Sequence, residues 1–153
     1  MRKGGGVNVN ILHIKGMSLE MAQTLIEGAM AKAREVGVPV HVAVVDESGN
    51  LKAFARMDGA PLIAEGIAKD KAFTAVSYGR STDEWAEEFE KDHRMHAALH
   101  AYPRFVALGG GIPVARDGQI VGAIGVSGAH WRQDMEIAQA GITELENRMQ
   151  KAA

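Results

Sequence analysis

From Ser18 onward the apolar positions recur at helical spacing, with Leu19, Ala22, Leu25, Ile26, Ala29 and Ala33 on one face. Ser18 is a fitting N-cap, and Gly37 with Pro39 closes the segment. The period then changes. VHVAVVD (40–46) and LKAFARM (51–57) flank the turn ESGN, which predicts a hairpin. DGAP breaks the chain before a second helix over 62–78, closed by Gly79. Ser81 and Glu84 fit a capping box for a third helix, which carries KDHRMHAALHAYP (91–103). FVAL (105–108), IPVAR (112–116) and QIVGAIGVS (119–127) read as three strands, and the Asp117-Gly118 turn between the last two is the strongest hairpin signal in the chain. A last helix near 133–149 completes the pattern.

The order is thus helix, two strands, two helices, three strands, helix. Strands joined by short turns must run antiparallel, so the pattern predicts an α+β domain: a central antiparallel sheet of about five strands flanked by helices. Residues 1–17, with glycines at 4–6, read as a flexible N-terminal lead-in, and 18–150 as a single domain.

Composition narrows the partners. The 153 residues are 46% hydrophobic and 24% charged, enough for one soluble core. A net charge of −2 leaves no basic footprint for nucleic acid or an anionic membrane. No apolar run has the length of a signal or a membrane span, so the expected location is the cytoplasm. The absence of cysteine excludes disulfides, thiolate metal sites and covalent c-type haem attachment.

Three of the six histidines, His93, His96 and His100, fall within roughly 60° of arc on one face of the third helix. Trp85, Ala86, Phe89 and Ala97 project onto the same face, while Glu87, Lys91 and Arg94 lie opposite. One reading makes the imidazoles core or interface residues with hydrogen-bonded nitrogens. A second makes Trp85 and Phe89 the walls of a pocket in which a histidine reaches haem iron or a substrate. A third, a three-histidine metal site, is disfavoured because three ligands from one straight helix rarely converge.

The glycine loops are the other dense signal. Gly109, Gly110 and Gly111 permit positive φ and close approach of a ligand, or else serve a tight bend. Ser127 and Gly128 end a strand ahead of a helix, where N–H groups receive an anion such as a carboxylate. No GxxxxGK[ST] motif is present, which argues against nucleotide phosphate. Arg56 and Asp58 either pair with each other or leave the arginine to clamp a carboxylate. Lys71 sits in a helix rich in Ala, Ile and Phe; there a lysine usually snorkels to the surface, whereas a half-buried one suits amine chemistry.

VAVVDESGNLKAFARMDGAP, IAKDKAFTAV, LGGGIPVARDGQIVGAIGVSG and QDMEIAQAG, in that order, resemble the GlcG/HbpS-like family, which also includes the C-terminal domain of PduO-type proteins. The likeness runs from about Ser18 to Leu145. It implies a profilin-like fold, assembly into homo-oligomers, and matching loops around one pocket: Arg56 to Gly59, Lys71, Gly109 to Gly111 with Pro113, and Ser127 with Gly128. Several members of such a family bind haem, and others belong to catabolic operons or carry enzymatic roles such as deamination.

Two functions follow as expectations. The first is a small-molecule pocket for haem or a similar planar ligand, with His93, His96, His100 or His130 as axial donor. The alternative is a cofactor-independent deaminase, tautomerase or lyase acting on a small carboxylated substrate, with His93, His96 or Lys71 in catalysis. A haem site requires an aromatic-lined slot and an unobstructed imidazole nitrogen. An enzyme site requires a histidine hydrogen-bonded to a carboxylate such as Asp46, Asp58 or Asp134.

Overall fold

The Ser18 hydroxyl accepts a hydrogen bond from the Met21 N–H at 3.1 Å and starts α1 (Leu19–Val36), and Gly37 at φ 80° ends it. These and the other elements come from a computed structural model that describes residues 10–153. The glycines at 4–6 lie outside the described residues, but Met17, counted with the lead-in, is buried in the core. Strands β1 (His41–Asp46) and β2 (Leu51–Arg56) form the first hairpin. Helices α2 (Ala64–Tyr78), α3 (Thr82–Lys91) and α4 (His93–His100) follow. Strands β3 (Gly111–Arg116) and β4 (Gln119–Ser127) form the second hairpin, with Asp117 and Gly118 both at positive φ as its two-residue turn demands. Helix α5 (Trp131–Ala152) closes the fold. None of these helices is long and apolar enough to cross a membrane.

The sheet is antiparallel throughout and has four strands in the order β2-β1-β4-β3. The expected fifth strand, 105–108, does not form. Arg104 turns the chain at φ 69°, its carbonyl accepts from Thr74 Oγ1 at 3.0 Å, and the Val106 N–H donates to Thr74 Oγ1 at 3.0 Å. With a side chain meeting those backbone groups, the segment gains nothing from a neighbouring strand.

A second correction concerns the histidine helix, which is two helices. Asp92 takes φ −130° and accepts from the N–H groups of Arg94 and Met95, both at 3.0 Å. It ends α3 and caps α4, because an aspartate that bonds its own downstream backbone competes with the helical ladder. The break separates the histidines from the apolar face they were expected to share. Trp85 and Phe89 are buried, while no residue of α4 is.

The two faces of the sheet are covered differently. Val42 and Val44 of β1 and Ile124 and Val126 of β4 pack with α1 and α5 in a core of large aliphatic side chains. Ala43, Val45 and Ala123 meet Ala68, Ala72 and Ala75 of α2. On that side Gly125 lets the α2 backbone approach closely, since a Cβ there would press on the Ala68 carbonyl and on the Ala72 nitrogen.

The close approach brings Lys71 of α2 to the end of β4. Lys71, expected at the surface or half-buried, is fully buried. Its Nζ donates to the Val126 carbonyl at 2.9 Å and to Asp134 Oδ2 of α5 at 2.9 Å. Burial pulls the ammonium below the ordinary lysine range, and the Asp134 charge restores part of the loss. Burial likewise pushes the Asp134 carboxyl up, against the pull of Lys71 and of the Ala129 N–H, which donates to Oδ1 at 3.1 Å.

Two outcomes are expected in urea unfolding. Lys71→Met should cost about 3–5 kcal/mol by stranding the Asp134 charge, and adding Asp134→Asn should return part of that loss. Gly125→Ala should cost about 1–3 kcal/mol by forcing α2 off the sheet.

Candidate functional site

A cleft opens between the α3–α4 corner and the irregular segment 105–108. It has a volume of about 590 Å³, within the range of roughly 300–1,000 Å³ typical of small-molecule and cofactor sites. Phe89 and Phe105 form apolar wall, with Ala86 and Leu108 beside them, and His93, His96, His100 and Glu90 supply the polar groups. Beneath it, Tyr78, Trp85, Phe89 and Phe105 form an aromatic cluster in which Trp85 meets Phe105 edge-on at 5.4 Å between ring centroids. That cluster is what captures Phe105 and draws segment 105–108 away from the sheet.

The three imidazoles differ in how they are held. His96 stacks on Phe89 with centroids 4.9 Å apart and planes 19° from parallel, and His100 meets it edge-on at 5.5 Å. His93 is the first residue of α4. All three are exposed, contrary to the packed-core reading, and their ring nitrogens enter no hydrogen bond or ion pair among the described residues. Nor do His, Asp and Glu side chains form a group of three able to hold a metal ion among those residues, so the bare three-histidine metal site is not assembled. No lysine or arginine lines the cleft.

The remaining sequence candidates lie elsewhere. Trp85 is buried behind the cleft wall, with its indole N–H lacking a partner. Arg56, at the end of β2, and Asp58, in the following turn, are exposed and form no ion pair with each other. Gly110 and Gly111 lie against the buried Lys71, whereas Gly109 lies against Met135 and Trp131. A Cβ at Gly110, whose φ is 127°, would stand 2.9 Å from the Lys71 Nζ, and one at Gly111 would strike the Lys71 backbone. The anion received at the strand–helix junction after Ser127 and Gly128 is the chain's own: the Ala129 N–H is taken by Asp134. His130 caps α5, where its Nδ1 accepts from the Arg132 N–H at 3.3 Å and its backbone N–H bonds Gln133.

The site therefore brings together Phe89, His93, His96 and His100 of the expected residues and leaves the glycine loops and Lys71 to the fold. No described histidine bonds a carboxylate: His41 is fully buried and bonds the Pro61 carbonyl through Nε2 at 2.9 Å. Asp46 is spent on the β1–β2 turn, accepting from Ser48 and Asn50. Phe105, Leu108 and Glu90 were missed. The available signal was FVAL itself, an apolar run with no alternation, two residues after Pro103.

Comparison with known proteins bears on this geometry. A family model described as "Haem degrading protein HbpS-like" matches residues 17–143. GlcG of Escherichia coli K12 is 39% identical over 111 residues, which cover 72% of this chain and 81% of GlcG. The corrinoid adenosyltransferase PduO of Salmonella typhimurium is 32% identical over 130 residues, 84% of this chain but 39% of that protein's length. Among solved structures, ORFY of Klebsiella pneumoniae superposes with a TM-score of 0.85 at 29% identity, covering 92% of this chain and 98% of that one. A double mutant of Streptomyces reticuli HbpS gives 0.81 at 33% identity, covering 92% and 97%. A PduOC:heme complex gives 0.79 at 32% identity, covering 84% and 94%. By the extent of the family match and the identity to GlcG, this chain belongs to the HbpS-like family.

Proposed function

We propose that this protein binds haem, or a planar macrocycle like it, in the cleft between the α3–α4 corner and residues 105–108. The observation that carries the reading is a set of three imidazoles, free of internal partners, over an aromatic wall. That is the donor and surface chemistry a planar iron macrocycle requires. A haem complex solved for a chain 32% identical supports the same ligand class.

Within the cleft His96 is the proposed axial donor. Stacking on Phe89 holds its ring plane, so less rotamer freedom is lost when a nitrogen meets iron. His93 and His100 flank it and would serve as further donors, and Phe105 with Leu108 would give the macrocycle apolar contact. Haem bound there would supply the iron; the chain supplies imidazole, apolar contact and partial exclusion of water. With no lysine or arginine in the lining, ligand carboxylates are left to water at the open rim.

The reading extends to a profilin-like domain that works in the cytoplasm as a homo-oligomer. Leu62 and Ile63, adjacent and 82% and 78% exposed, supply apolar surface for a second copy.

A haemin titration followed by absorbance tests the assignment. The wild-type chain should give a saturable Soret shift that His96→Ala abolishes or weakens at least roughly tenfold, with smaller losses for His93→Ala and His100→Ala. Because these side chains are exposed, thermal stability should change by no more than about 0.5 kcal/mol. Binding that is unsaturable, or equal in all three variants, would remove haem from the cleft.

A further inference from the structure

On the far side of Phe105 from the histidines lies a second, smaller space. It is a slot of about 150 Å³ between α2 and residues 99–105, walled by Phe73, Tyr78, Leu99, Tyr102 and Phe105. An apolar cavity of about that volume takes one benzene-sized ring.

Apart from the Tyr78 and Tyr102 hydroxyls, the polar side chains around the slot are already engaged. Thr74 Oγ1 donates to the Arg104 carbonyl and accepts from the Val106 N–H, and Ser77 Oγ donates to the Phe73 carbonyl at 2.6 Å. The Arg104 guanidinium lies 3.7 Å from the centroid of Phe73 and donates through Nε to Asp70 at 3.0 Å. The slot thus presents aromatic surface with Thr74, Ser77 and its one cation engaged. Tyr78 and Tyr102 remain 54% and 67% exposed at its edges.

The backbone holds this opening at a cost. Arg104 is one of two non-glycine residues at positive φ among those described, and the other, Asp117, sits in a hairpin turn that calls for it. Arg104 takes the third position of a Tyr102–Phe105 turn, closed by the Phe105 N–H on the Tyr102 carbonyl at 3.3 Å, where positive φ is required but glycine is the usual residue; the turn swings Phe105 into the aromatic cluster and leaves the slot behind it. Strain of this kind persists where surrounding structure over-determines it, and it concentrates at ligand sites.

We propose that the slot is a binding site for a single uncharged aromatic ring of benzene or phenol size, separate from the histidine cleft. Phe105 partitions the two sites, and Leu99, on the α4 turn that also carries His96 and His100, forms the back of the second.

The test is 19F NMR of fluorobenzene titrated with the full chain, repeated on Leu99→Trp, which fills the back of the slot, and Ser77→Leu, which narrows its mouth. Saturable broadening of the fluorobenzene signal is expected, weakened roughly tenfold or more in both variants and retained in excess haemin. Benzoate, the same ring with a charge, should bind roughly tenfold more weakly. Should Leu99→Trp disturb α4, Ser77→Leu decides, since Ser77 is exposed. Unsaturable broadening, undiminished binding to Ser77→Leu, displacement by haemin, or benzoate binding as tight as fluorobenzene each overturns the proposal. A chain that took up no haemin would still be judged by the two variants, so this site stands apart from the ligand of the cleft.

Discussion

The ion pair of Lys71 with Asp134, sealed from water, is the constraint around which the rest of the chain is arranged. Two charges withdrawn from solvent are tolerable only when each has its remaining hydrogen-bonding capacity met at close range. The chain meets that demand with four separate elements. α2 carries the ammonium, α5 the carboxylate, the end of β4 a carbonyl, and the turn after Gly128 an N–H. Gly110 and Gly111 then have to run against the pair without side chains of their own, just where β3 begins. One pair thus ties both sheet faces to the second hairpin.

The cleft depends on that rigidity without sharing it. Its α3 side is anchored by Trp85 and Phe89, buried against Phe105, while the α4 side rests on a single aspartate cap and one stacked ring. Placing the imidazoles on the exposed side of the corner keeps their nitrogens free of the partners that burial would have required. The same geometry removes them from the core and makes them available to a guest.

Local chemistry was legible in the sequence to the extent that it depended on near neighbours. Ser18, Gly37, Gly79 and the Asp117-Gly118 turn perform the roles their types predicted, and both hairpins lie in the expected register of elements. Lys71 was misjudged because its partner is 63 positions away, and no local pattern announces a carboxylate at the end of another helix. The run 105–108 has the composition of a strand, yet Thr74, 32 positions upstream of Val106, takes the hydrogen bond that a strand would have needed. Asp92 was readable in principle. An aspartate three residues before Met95 is a capping signal, overlooked because the surrounding apolar spacing continued through it. Of the expected site, the histidines and Phe89 were found by their spacing on one face, although the face proved to be a corner.

A helix that buries none of its own residues is free in another sense. Side chains on α4 can be exchanged without disturbing the sheet or the Lys71–Asp134 pair, since neither rests on them. At its exposed positions drift is checked chiefly by the guest, so one scaffold can be retuned from ligand to ligand through this helix while the sheet stays the same.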